Sequence, residues 1–73
     1  MSKIPVISGK ECISALQKLG YYIKRQSGSH IILRRDEPFS QVTVPNHKTL
    51  DRGTVYNIIK STDLSIDDFT HLL

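Results

Sequence analysis

The sequence contains a single cysteine, a single methionine and no tryptophan, and no apolar run in it comes near the length of a membrane span. A lone Cys12 excludes an internal disulfide, which suits a reducing compartment. A helix crossing a bilayer needs about 20 consecutive apolar residues, so no membrane association is expected. The start, Met1-Ser2-Lys3-Ile4-Pro5, lacks the apolar stretch of a secretory signal, and the cytoplasm is the expected location. The histidines stand far apart, at 30, 47 and 71, and no glycine-rich stretch has phosphate-loop spacing. The residues therefore predict neither a metal site nor a cofactor.

Seventy-three residues make one domain, spanning 1–73. A chain this short buries only about 60% of the surface that its unfolded form exposes. That favours a shallow surface site over an enclosed cavity. Charge is unevenly placed. Residues 1–60 carry all ten Lys and Arg against Glu11, Asp36, Glu37 and Asp51, a balance of +6. Residues 61–73 carry Asp63, Asp67 and Asp68 and no Lys or Arg, a balance of −3. A basic body with an acidic tail favours a polyanionic partner such as RNA over a membrane. An ordinary solvated basic surface would show the same totals.

Ser8-Gly9-Lys10-Glu11 reads as a capping box, with Ile7 and Cys12 placed as a hydrophobic staple. Cys12, Ile13, Ala15, Leu16 and Leu19 then follow helical spacing, and Gly20 suits the C′ position, which predicts a helix over 9–19. Aromatic and β-branched residues alternate with polar ones over 21–26, which predicts a strand. Ser27-Gly28-Ser29 makes a turn, 30–35 a second strand, and Asp36-Glu37-Pro38 a second turn. A third strand covers 41–44, closed by Pro45, and a loop through Asn46, His47, Lys48 and Thr49 leads to a helix over 51–61. Ser65-Ile66-Asp67-Asp68 reads as a second capping box opening a short helix with Phe69, Leu72 and Leu73. The expected fold is α+β in the order α-β-β-β-α. Its helices cover one face of a three-stranded antiparallel sheet and leave the other wet.

Cys12 sits in the apolar stripe of the first helix and reads as a core residue. His30 follows a Gly-Ser turn at the start of a strand, with Lys24, Arg25, Arg34 and Arg35 along the same hairpin. Imidazole has an unperturbed pKa near 6.5 and can both take and give protons at cellular pH. RNA cleavage requires a base at the 2′-hydroxyl, an acid at the 5′-oxygen and cations around the phosphorane. Spacing alone favours an ordinary surface or structural histidine over a catalytic one. His47 reads as a residue that hydrogen-bonds its loop and fixes the start of the second helix, and His71 as incidental. One of Tyr21 and Tyr22 is expected in the core. The run Ile31-Ile32-Leu33 leaves open which second-strand residues face outwards.

The series from Gly20-Tyr21-Tyr22 through Arg25-Gln26 to Gly28-Ser29-His30 resembles the signature of the HicA (YcfA-like) toxins. The resemblance continues through Val42-Thr43-Val44-Pro45-Asn46-His47 and Gly53-Thr54-Val55-Tyr56-Asn57-Ile58-Ile59-Lys60, then Leu64 to Phe69. It implies a fold like a double-stranded-RNA-binding domain and a metal-independent endoribonuclease that cleaves mRNA. It also implies His30 as the catalytic residue and a HicB-type antitoxin as the protein partner. Ile31 stands where some members have a second histidine, so paired adjacent histidines are not available. On this reading Gly28 shapes the turn that presents the site, while Lys24, Arg25, Ser29, Arg34 and Arg35 bind RNA. Two alternatives are a binding module that holds structured RNA without cutting it, and an inactive toxin relative acting through a protein partner.

Overall fold

A computed structural model describes residues 3–73; Met1 and Ser2, which begin the segment inspected for a signal, lie outside the described residues. Ser8 opens helix α1 (Gly9–Lys18) with the expected reciprocal box. The Glu11 amide donates to Ser8 Oγ at 3.1 Å, and the Ser8 amide donates to Glu11 Oε1 at 2.9 Å. Strands β1 (Tyr22–Ser27), β2 (His30–Asp36) and β3 (Phe39–Pro45) follow, then helices α2 (Arg52–Ser61) and α3 (Ile66–Thr70). The strands form one antiparallel sheet in the order β1-β2-β3. This is the expected α-β-β-β-α arrangement, the layout of double-stranded-RNA-binding domains.

Side-chain alternation places Ile31 and Leu33 of β2 and Val42 and Val44 of β3 in the core. They meet Cys12 and Leu16 of α1, Val55 and Ile59 of α2, and Phe69 of α3. Ile32, between the two buried positions, turns to the opposite face and is half-buried. Both long helices lean on β3, whereas β1 packs chiefly on β2 and is exposed along its whole length. Among the described residues no helix is long and apolar enough to cross a membrane.

Several boundaries differ from the sequence reading by a residue or two, and three departures have a clear local reason. Tyr21 lies outside β1 because its amide donates back to the Leu16 carbonyl and completes the end of α1. Its ring is buried, and its hydroxyl donates to Ser40 Oγ at 2.6 Å, which donates in turn to the Ser61 carbonyl at 3.0 Å. The second turn shrinks to Glu37-Pro38, because Asp36 still pairs with Phe39 and Arg35 with Ser40, so β3 begins at Phe39. At α3 only half of the expected box is present: Ser65 Oγ accepts from the Asp68 amide at 3.0 Å. The aspartate side chain is one methylene shorter than glutamate and does not close the return bond. Helix α3 ends at Thr70, so Leu72 and Leu73 follow it, the first half-buried and the second exposed.

Candidate functional site

The β1–β2 turn is only two residues long, since Ser27 pairs directly with His30. Gly28 takes the first central position with φ +60° and Ser29 keeps a negative φ, the type II′ pattern whose twist matches a hairpin. Gln26 Nε2 braces the turn by donating to the Gly28 carbonyl at 3.0 Å. His30 is thereby the first residue of β2, exposed, with Ser27 beside it on β1 and Pro45 on β3.

Residues paired across a ladder share a face of the sheet. With Ile31 and Leu33 turned inwards, the outer face runs in rows from the turn: Ser27, His30 and Pro45; then Arg25, Ile32 and Thr43; then Tyr22, Arg34 and Gln41; then Asp36 and Phe39. The β1 register shifts between Ile23 and Arg25, so Lys24 is the residue passed over and Arg25 comes into line with Ile32. Arg25 therefore lies one row from His30, about 7 Å along the strand. Arg34 is two rows away, about 13 Å, with its Nε on Asp36 Oδ1 at 2.7 Å and its guanidinium 5.1 Å from the Phe39 ring centre. Arg35 is directed to the helix side. It lies 4.8 Å over the buried Tyr21 ring and donates to the Pro38 carbonyl at 3.0 Å. The structure thus groups His30, Ser29, Gly28 and Arg25, sets Lys24 at the bulge and Arg34 further off, and separates Arg35 from the face.

The loop after β3 closes against the same end of the molecule. The Asn46 amide donates to the Ser29 carbonyl at 2.6 Å, and the Gly9 amide donates to the His47 carbonyl at 2.9 Å. Glycine is required at position 9 by proximity: a Cβ there would collide with the Pro45 carbonyl oxygen. These contacts correct the reading of His47. Backbone groups hold the loop, Asp51 stands at the N-cap position of α2 and receives the Thr54 hydroxyl rather than a backbone amide, and the imidazole is exposed. A depression of about 190 Å³ beside it is lined by Ser8, Lys10, Asn46, His47 and Lys48. Sequence reasoning missed Lys10 and Lys48 as neighbours, because they come from elements far apart in the chain and neither carries a motif. A groove of about 310 Å³ between β3 and α2, lined by Gln41, Thr43, Thr54, Asn57 and Ser61 among others, carries no histidine or cation.

Burial pushes the Cys12 thiol up to about 11, so at neutral pH it stays protonated within the core. His71 is the exposed C-cap residue of α3. Among the described residues no group of three or more His, Cys, Asp or Glu could hold a metal ion. An exposed imidazole at the rim of an uncovered, cation-bearing sheet can exchange protons with a bound polyanion.

A search among curated proteins returned no match to the chain. The family model described as the HicA toxin of bacterial toxin–antitoxin systems matches residues 9–64, which takes in α1, the whole sheet and α2. On that match, the chain belongs to the HicA toxin family.

Proposed function

We propose that this toxin is an endoribonuclease that cleaves mRNA by proton transfer at His30, and that a HicB-type antitoxin neutralises it. The observation that carries the reading is the placement of His30: exposed, first in β2, at the rim of the uncovered face and one row from Arg25. Neutral imidazole takes the 2′-hydroxyl proton as the 2′-oxygen attacks phosphorus. The P–O bond to the 5′-oxygen then breaks, and that oxygen leaves with a proton taken from solvent, while the imidazolium returns its own proton to solvent. The product carries a 2′,3′-cyclic phosphate. Arg25, with Lys24 at the bulge, offsets the charge that grows on the non-bridging oxygens. Ser29 and Gly28 set the angle at which the imidazole meets the phosphate, and Arg34 lies where a longer strand would pass.

The test is His30→Ala. One side chain acting as general acid or base is worth about 10²–10⁴-fold in rate, so RNA cleavage should fall by that factor and growth arrest on expression should disappear. Because His30 is exposed at a strand end, the variant should keep its circular dichroism spectrum and its antitoxin binding. His47→Ala, whose loop is held through the backbone, should lose less. Near wild-type cleavage by His30→Ala would refute the assignment. Normal growth at high expression of the wild type would favour an inactive relative acting through its protein partner.

A further inference from the structure

We propose that the end of the outer sheet face away from His30 is a base-stacking subsite for single-stranded RNA, built on Phe39 and Tyr22. It rests on the reading of this toxin as an RNA-directed protein and extends it to the form of RNA that is held.

Phe39 and Tyr22 are 64% and 44% exposed, although water is a poor solvent for aromatic rings. They stand on the two edge strands, in adjacent rows of the same face, with Arg34 of the central strand between them. Neither ring is loose. The Tyr22 hydroxyl donates to both Asp36 carboxylate oxygens at 3.2 Å. The same carboxylate holds Arg34 at 2.7 Å, and that guanidinium covers Phe39 at 5.1 Å. The result is a tethered cluster of two exposed rings and a guanidinium, the groups on which nucleobases stack. Asp36 is the acid of this face and is neutralised by Arg34, so it does not repel phosphate. Arg25 lies between this surface and His30.

The span matches the ligand. Six residue steps along β2, from His30 to Asp36 beside Phe39, cover about 20 Å. A strand stacked at about 3.4 Å per nucleotide crosses that distance in at most about six nucleotides. A duplex turns its bases inwards and offers mainly phosphates and 2′-hydroxyls. Exposed rings therefore select unpaired RNA, and with little sequence preference, since every base has a π-face.

The experiment measures binding of the full chain to an uncleavable 2′-O-methyl RNA of about ten nucleotides by fluorescence anisotropy. The probe is presented single-stranded, annealed to its complement, or with abasic sites. Phe39→Ala should weaken single-strand binding by about 5- to 100-fold and leave duplex binding within about 2-fold. Phe39→Tyr should retain affinity, whereas Phe39→Leu, which keeps apolar bulk without a π-face, should not. The wild type should bind the abasic strand about as weakly as Phe39→Ala binds the intact one. Equal affinity of wild type and Phe39→Ala for the single strand, or an equal loss on the duplex, overturns the proposal. If Phe39→Ala leaves RNA affinity intact but weakens the antitoxin complex, this face docks protein and the proposal fails. If His30→Ala cleaves normally while Phe39→Ala loses single-strand affinity, the catalytic assignment falls and the stacking subsite stands.

Discussion

Replacing Gly9 by alanine tests whether the close approach of α1 to the β3–α2 loop holds the histidine end together. In an open helix the change would be favourable, because glycine costs up to about 1 kcal/mol against alanine. Here the new Cβ meets the Pro45 carbonyl oxygen, a backbone atom that cannot rotate away. Overpacking of this kind costs about 1–3 kcal/mol. Moving α1 outwards also stretches the 2.9 Å bond from the Gly9 amide to the His47 carbonyl, worth about 1 kcal/mol. After the propensity gain, the net loss is about 1–3 kcal/mol. For a domain of this size that lowers Tm by roughly 5–20 °C. Gly53→Ala is the matched control, since a Cβ there meets nothing within 4 Å, and it should gain about 0.5–1 kcal/mol. Thermal unfolding followed by circular dichroism compares the two. The loop should also shift against Ser29, lowering RNA cleavage by Gly9→Ala even at temperatures where it is folded. A Gly9→Ala protein that melts at or above Gly53→Ala would refute the reasoning.

The two faces of the sheet give opposite expectations for the arginines. Arg25→Ala should reduce the slope of log affinity against log salt by about one contact. Arg35→Ala should leave that slope unchanged and lower Tm, because Arg35 covers Tyr21 and bonds to Pro38; a slope that changed with Arg35 alone would reverse the assignment of faces. Cleavage should persist in excess EDTA, since the proposed step uses imidazole, and activity restored only by magnesium would displace His30 from its role. The Cys12 thiol has a pKa of about 11 in the fold against 9.0 for a free thiol. Below pH 9 both states are protonated; above it the unfolded chain loses the proton first, so stability should fall between pH 9 and 11 by about 1.4 kcal/mol per unit. Denaturant titrations across that range, compared with Cys12→Ala, check the sign, and alkylation of Cys12 at neutral pH should require unfolding.

Elements announced by local chemistry were legible in the sequence. Ser8 and Glu11 mark the start of α1, the Gly28 turn marks the hairpin, and the family series runs from Gly20 to Phe69. What escaped depends on long-range partners. Nothing in the Ile31-Ile32-Leu33 run distinguishes its faces until the helices cover one of them, and Arg34 and Arg35 are separated by the same choice. Phe39 and Ser40 follow a proline and lie outside the expected third strand, yet the β2 ladder extends through them. The neighbourhood of His47, Lys10 and Gly9 exists only because α1 folds back onto the end of β3.

The exposure of β1 on both sides has a kinetic meaning. A strand held by one ladder and little apolar burial opens at low free energy, whereas the strands beneath the helices open only with the whole domain. Amide exchange should therefore be graded across the sheet, fastest in β1 around Lys24 and Arg25 and slowest at Leu33, Val42 and Val44. The middle of β1, with Lys24 and Arg25, is then the least constrained part of the sheet, between the tied Tyr22 and the braced turn. Any RNA or protein that grips it gives up part of its binding free energy to ordering it, so mutations that stiffen β1 should tighten binding without adding a contact.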